Sequence, residues 1–507
     1  MGIIRSQSIR STFFIYISMV IGYFNLIILM PQYFSGEEIG MTRTIIVLAL
    51  VLTQFSDLGA TNIIYRFFSL YQRQKAKDFL ILVLAIPLGG FLVVSSISFI
   101  FEEQLFGTFY SKCPPLKQFG FLIYSTTFFT LLASLGGHYC AVHLKTVIPR
   151  TVNELVPRLG NTVLILCYGY KLIDFSTYFI SFTVLVGLSA ALVWAYIIYL
   201  DKLKISFTIS TLTKRLYKKI LIFGLIGILG NSFSTIISYI DTLMLGAING
   251  QHDVAIFNIG YYIIGIMSVP YNSILAVVMP LLSRAIRHKD WESVDRYYKQ
   301  TSLNNFLIGS FIFGGIIYCF DDFIQFLPQN QGYDKAFYII MFFGFGRIID
   351  MITGCNSEII AYSKHYLFNF YSLMVISIFC IFSNYFFISR FGIFGVAVSG
   401  LLSLILFNTA RYYFIRIKFG LQPFTKSTLV AVLSVVLTAS ICYFTADIIN
   451  IKVLHHLHSS AVLNILVKGI VWTLIFVISI SILKPSKDII NLFNMISNKI
   501  LKFTQNQ

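Results

Sequence analysis

KKILIFGLIGILGNSFSTIISYIDTLMLGAINGQHDVAIFNIGYYIIGIMSVPYNSILAVVMPLLSRAIR, residues 218–287, holds two long apolar runs separated by a short polar turn between Asn249 and Asp253. Each run exceeds the roughly 20 residues that carry an α-helix across a bilayer core, so both read as transmembrane helices. Polar side chains recur inside them at helical spacing. Asn231, Ser234, Ser238 and Asp241 fall on one stripe of the first helix, and Asn258, Tyr261, Gly265, Ser268 and Asn272 on one stripe of the second. A carboxylate at mid-bilayer costs about 2.5–3.5 kcal/mol on insertion scales, so Asp241 is expected to face protein or water rather than lipid. Two polar stripes on neighbouring helices predict a hydrated interior.

The same pattern occurs earlier in the chain. A shift of 215 positions lays Asn258 on Arg43 and Asn272 on Asp57, inside TRTIIVLALVLTQFSDLGATNIIYRFF, whose own stripe is Arg43, Gln54, Asp57 and Thr61. Both spans end in a basic residue, Arg66 and Arg284, with the offset drifted by three. Two coincidences at one offset, within similar spans, predict a duplicated lobe.

Composition sets the class. With 57% hydrophobic and 12% charged residues over 507 positions, no water-facing globular surface can be assembled, and the expected fold is an all-α polytopic membrane protein. Fourteen candidate helices are centred near residues 21, 54, 90, 130, 160, 187, 234, 266, 310, 346, 376, 403, 436 and 472. They group as an N-terminal lobe of six (1–205), a C-terminal lobe of six (206–420), and two further helices with a tail (421–507).

Charge orients the spans. With the N-terminus on the cytoplasmic side, cytoplasmic segments carry 28 of the 38 Lys and Arg and the opposite side six, with Arg43, Arg158, Arg347 and Lys468 inside spans. Asp and Glu divide six, ten and five, giving +22 on the cytoplasmic side, −4 opposite and −1 in the membrane. This is the positive-inside pattern, and with an even number of spans it places both termini in the cytoplasm. The basic balance thus reports topology and contact with anionic headgroups, and nucleic acid is not expected as a partner. The apolar run from Phe13 to Met30 is too long for a signal peptide and is followed by PQYFSGEE rather than a small-residue cleavage site, so it reads as a retained first helix.

Other features carry local expectations. Glu154 and Arg158, four apart on one helix, suit a structural ion pair. Arg347, Asp350, Gly354 and Glu358 share one stripe of the span YIIMFFGFGRIIDMITGCNSEIIAYS, in which Arg347 and Asp350 can pair at i, i+3 while Glu358 has no local partner. Lys468 is expected to snorkel toward the membrane surface. His455, His456 and His458 in KVLHHLHSS lack an ordered carboxylate or thiolate beside them and read as a surface loop, and the seven dispersed cysteines form no CxxC pair. There is no Walker A loop, dinucleotide glycine motif or nucleophile elbow, so no cofactor and no enzymatic chemistry are expected.

The opening RSTFFIYISMVIGYFNLIILMPQYFSGEEIG, the phrase FSDLGATNIIYRFF, YIDTLMLG and the two six-helix lobes with an appended pair together resemble the polysaccharide flippases of the multidrug/oligosaccharidyl-lipid/polysaccharide exporter superfamily. The resemblance implies alternating access by two lobes around a central cavity. It also implies movement of undecaprenyl-diphosphate-linked oligosaccharide (O-antigen, capsule or exopolysaccharide repeat unit) across a bacterial inner membrane, driven by a Na⁺ or H⁺ gradient or by membrane potential. The expected partners are the lipid-linked oligosaccharide, membrane lipids, and a polysaccharide polymerase with its assembly proteins. Arg43, Arg66 and Arg284 are suited to bidentate contact with the diphosphate. Gln54, Asp57, Asn258, Tyr261 and Asn272 are the candidate cavity residues, and Asp241, Arg347, Asp350 and Glu358 the candidate coupling charges. The alternatives are a cation-coupled drug or metabolite exporter of the same fold, a lipid II flippase, and a polymerase or glycosyltransferase. Lipid II flippases resembling this chain carry a cavity arginine on the first helix, and here that span has none. A polymerase or transferase usually needs a large external loop or soluble domain, and no loop exceeds about twenty residues.

Overall fold

The computed structural model describes residues 14–74, 76, 78–200, 208–328, 331–448 and 461–486. The described residues are helices and their connections, without strands. Eleven of these helices are long and apolar enough to cross a membrane, or twelve if one bent pair is a single span. The chain is therefore a polytopic membrane protein. The count of fourteen is not reached by this measure, for two identifiable reasons. Val147–Gly169 carries Arg150, Glu154 and Arg158 and is not apolar enough. Leu367–Phe419 is one 53-residue helix by its hydrogen bonds, but it is broken at Gly392 (φ 55°, ψ −128°). Ser399 bonds Ser383 across this break at 2.8 Å and Cys380 bonds Ser403 at 3.2 Å, so residues 367 to 419 form an antiparallel hairpin of two spans. Small hydroxyl side chains at the seam let the arms approach closely, as membrane helix pairs require when no water is expelled between them.

The contacts divide the chain into two compact units. One comprises the described residues through Ile259 with Ile388–Gly392; the other comprises Gly260–Phe387 and the described residues from Ile393 onward. Contact units and sequence repeats are different divisions, so this one does not bear on the lobe boundaries read from the duplication.

In the first unit, α1 (Phe14–Tyr33) is tied to α2 (Val147–Gly169): the Asn25 amide donates to the Arg158 carbonyl and accepts from the Thr162 hydroxyl, both at 2.8 Å. Arg158 and Glu154 pair at 2.6 Å as their spacing predicts. The span from residue 42 to 68, read as one helix in the sequence, is two: Gly36–Ser56, opened by a capping box on Ser35 and Glu38, and Ala60–Arg73. Leu58 (φ 44°) and Gly59 (φ 74°) make the break. Thr211–Ile248 lies against it so closely that a Cβ on Gly59 would strike the Gly224 carbonyl, and one on Gly224 would stand 2.7 Å from the Leu58 oxygen. Glycine is needed at both positions, at Gly59 for its dihedral and at Gly224 for the approach. The start of Thr211–Ile248 is held by Asp78, whose carboxylate accepts from the Ser210 N–H at 2.8 Å and the Thr213 hydroxyl at 2.7 Å.

Interrupted helices recur in the second unit, which begins at Gly260. There Ser268–Arg287 starts after a break at Ile266 and Met267. Ala336–Ile352 and Asn356–Tyr362 are separated by a turn at Gly354 (φ 62°), and the pair is bent by 50°. Three of the four polar stripes of the sequence thus run across helix breaks, where backbone groups freed from the helix need polar neighbours, whereas Asn231 to Asp241 lies within the continuous Thr211–Ile248.

Lys468 corrects an expectation. It does not reach for the surface: its ammonium lies 2.5 Å from the Asp322 carboxylate, with side-chain exposures of 7% and 6%, and Asn464 donates to the same carboxylate at 3.1 Å. A carboxylate one turn from the Trp291–Tyr318 helix, brought beside Ala461–Leu483, captures the ammonium inside the protein. The residues of KVLHHLHSS and the tail beyond Ser486 lie outside the described residues.

Candidate functional site

The break in the first unit opens a cavity. About 340 Å³ in volume, it is lined by Gln54, Asp57 and Thr61 from the two sides of the break, His138 from Gly120–Val142, and Asn231 and Thr235 from Thr211–Ile248. Asp57 closes the first half-helix, and its carboxylate receives the N–H and hydroxyl of Thr61 at 3.3 and 3.2 Å, so it caps the second half as well. Thr235 donates to Gln54 at 3.4 Å, and His138 pairs with the Tyr65 hydroxyl at 2.9 Å. The result is a polar chamber with a buried carboxylate, amides and hydroxyls, sized for several waters or a sugar ring. Leu50 and Leu131 line it as well, but its carboxylate, amides and hydroxyls offer hydrogen bonds that hydrocarbon cannot return.

A larger recess of about 620 Å³ lies at the end of α1 and α2, where Tyr33, Tyr168, Lys171, Asp174 and Thr177 meet. The Tyr168 ring lies tilted by 36° to that of Phe34 with centroids 4.3 Å apart, and its hydroxyl donates to Glu38 at 2.8 Å.

The candidate residues read from the sequence separate. Gln54 and Asp57 come together in the chamber, with Asn231 from the stripe that includes Asp241. Asp241 is half-buried. Arg43 is half-buried on Gly36–Ser56, and Arg66 is exposed with its guanidinium 5.9 Å from the Phe223 ring. Neither lines the chamber. Asn258 is buried and donates to the Val254 carbonyl of its own helix at 2.8 Å. In the second unit Tyr261 packs edge-on to Phe343, and Asn272 and Arg284 are exposed on Ser268–Arg287.

A second constellation forms in that unit. Arg347 and Asp350 pair at 3.7 Å, as i, i+3 spacing predicts. Arg411, counted in the sequence with the cytoplasmic charges, is instead buried at 8% exposure over the Phe407 ring and acts electrostatically on Asp350 and Glu358. Arg411 stands shortly before Arg416 and Lys418, and this basic run masks it as a loop charge; its i, i+4 spacing from Phe407 was the available signal. Beside it Thr353, Asn356 and Asn408 form a buried network at 3.0–3.1 Å. Among the described residues no group of three or more His, Cys, Asp or Glu is placed to hold a metal ion.

Residues 7–286 match a family model described as "Polysaccharide biosynthesis protein". No curated protein matches. Among solved structures, the lipid II flippase MurJ in an inward closed conformation superposes with a TM-score of 0.75 at 16% identity, over 94% of this chain and 98% of that one. An inward-facing multidrug resistance MATE family transporter of the MOP superfamily gives 0.62 at 14% identity, over 80% and 94%. At such identities the likeness is one of fold.

Proposed function

Because the chain belongs to the polysaccharide biosynthesis protein family, we propose that it is a flippase that moves an undecaprenyl-diphosphate-linked oligosaccharide across the bacterial inner membrane. The observation that carries this reading is the chamber with Gln54, Asp57, Thr61, His138, Asn231 and Thr235 in its wall, within the membrane-spanning helices of a chain of this family. Sugars and a diphosphate need hydrogen-bonding walls, whereas the polyprenyl tail stays in lipid. The fold shared with the MurJ flippase and a MATE transporter supports transport over polymer synthesis. Transport proceeds by alternating access of the lobes 1–205 and 206–420. Arg43, Arg66 and Arg284 meet the diphosphate, the Tyr33 and Tyr168 recess offers aromatic and polar surface to emerging sugars, and an ion gradient or membrane potential drives the cycle. Both termini face the cytoplasm, and the delivered repeat unit passes to a polymerase and its assembly proteins.

The test is reconstitution of the purified protein in liposomes with undecaprenyl-diphosphate-linked oligosaccharide in one leaflet. Exposure of the glycan to an impermeant lectin or glycosidase should rise with the protein and not with empty liposomes. Equal exposure in both would refute the reading. The MATE-like fold favours one second reading, a cation-coupled exporter of drugs; a deletion strain that gains drug sensitivity while its surface glycans remain intact would establish it.

A further inference from the structure

The charge cluster of the second unit has a defect in its pairing. Arg347 and Asp350 lie on Ala336–Ile352, Glu358 in the first turn of Asn356–Tyr362, and Arg411 on the second arm of the hairpin. Arg347 is engaged with Asp350 at 3.7 Å. Arg411, its guanidinium carbon 3.6 Å from the centre of the Phe407 ring, forms no ion pair with Asp350 or Glu358, but its charge lies near enough to act on both. Yet Glu358 Oε2 and Arg411 Nε are both buried without a hydrogen-bond partner among the described residues.

Two arginines and two carboxylates balance, so the cluster has no net charge with which to draw in a metal ion or a diphosphate. The imbalance is local. One desolvated carboxylate oxygen has no donor, and a buried ionised carboxylate in that position is relieved by a proton. Asp350 and Glu358 also stand on opposite sides of the Gly354 turn, on helices bent by 50°, so the share each takes of Arg411 bears on the geometry of that bend.

We propose that Glu358 is a reversible proton site and that Arg411 is the switch it controls. Ionised Glu358 shares Arg411 with Asp350. When a hydronium ion gives up a proton, its O–H bond breaks as an O–H bond forms at Oε2, water leaves, the cluster gains one positive charge, and Arg411 passes to Asp350. The groups that face Glu358 are Asp350 across the turn, Cys355 before its helix, Tyr271 from Ser268–Arg287 and Arg411 from the hairpin. The proton site deepens the gradient-driven part of the proposed function and rests on that reading for its role in transport, but its chemistry is measurable without substrate.

Infrared difference spectra of the full-length protein in liposomes, between alkaline and acid pH, report protonated carboxyl groups directly. The wild type should show a buried carboxylic-acid carbonyl band that shifts on selective ¹³C-carboxyl labelling of glutamate, disappears in Glu358→Gln and persists in Asp57→Asn and Asp241→Asn. Arg411→Gln removes the charge that favours the ionised form, so the midpoint should move up by about one to three pH units, and less in Arg411→Lys. A band unmoved by the glutamate label, retained in Glu358→Gln, or titrating identically in Arg411→Gln overturns the proposal. The labelling arm uses the wild type and so does not depend on a variant folding. In the flipping assay, Glu358→Gln should lose transport driven by a pH gradient, and wild-type driven rates would overturn the coupling role. If the wild type does not flip the lipid but the band behaves as described, the transport reading fails while the proton site stands.

Discussion

The buried pair Lys468 and Asp322 gives the sharpest quantitative test of the packing. Lys468→Met removes the ammonium 2.5 Å from a carboxylate that is 6% exposed, leaving Asp322 only the Asn464 amide at 3.1 Å. Breaking one side of such a pair costs about 3–5 kcal/mol, because the remaining charge is stranded away from water. For a unit of this size each kcal/mol corresponds to about 2–4 °C, so melting in mild detergent, followed by loss of the monodisperse peak, should fall by about 6–20 °C. The double variant Asp322→Leu/Lys468→Met removes both charges and should recover most of that loss, since a buried pair exchanged for apolar side chains of similar volume is often neutral. The assay is a double-mutant cycle on melting temperature. If Lys468→Met melts within about 2 °C of the wild type, a shift below one kcal/mol, the pair is not buried as described. If the double variant is no better than the single, the loss comes from packing and the electrostatic reasoning is wrong.

Four further outcomes are expected. Gly224→Val should lower stability by about 1–3 kcal/mol through overpacking against Leu58 and Ile63, whereas Gly89→Ala, with open space around it, should be neutral or slightly stabilising in the same melting assay. Burial pushes the Asp78 carboxyl up, but the Ser210 N–H and the Thr213 hydroxyl outweigh it and hold the group below its usual range. Its contribution is therefore present above the unfolded value near about 4 and lost as pH falls through the lower folded value, so Asp78→Asn should melt lower than wild type at pH about 7 and equal to it in acid. Replacing Arg43, Arg66 or Arg284 by Ala should slow flipping by about 10–150-fold, with only partial rescue by Lys if the contact is bidentate, while Lys112→Ala leaves the rate unchanged; full activity of all three Lys variants removes support for bidentate recognition. A single cysteine placed after Lys218 should resist impermeant thiol reagents in intact cells and react after lysis, and labelling in intact cells would invert the topology.

Composition and charge asymmetry determine the class without a structure, because a bilayer leaves the backbone of an apolar chain little choice but helix. The pairings within one turn, Glu154 with Arg158 and Arg347 with Asp350, were equally legible, since α-helical geometry alone places i, i+3 and i, i+4 side chains together. Gln54 and Asp57 were marked by the same periodicity and do meet in the chamber. The helix breaks were not legible: FSDLGATN and MITGCNSE read as continuous polar stripes, and only the approach of Gly224 to Gly59, and of the Tyr298–Ser302 backbone to Gly354, fixes where the backbone turns. Nor could the sequence separate Arg411 from the basic run that follows it, or tell a snorkelling Lys468 from a paired one. The partner in each case lies far along the chain, Asp322 at 146 positions' remove from Lys468, and which distant carboxylate meets which cation is decided by how helices pack, a property no local spacing encodes.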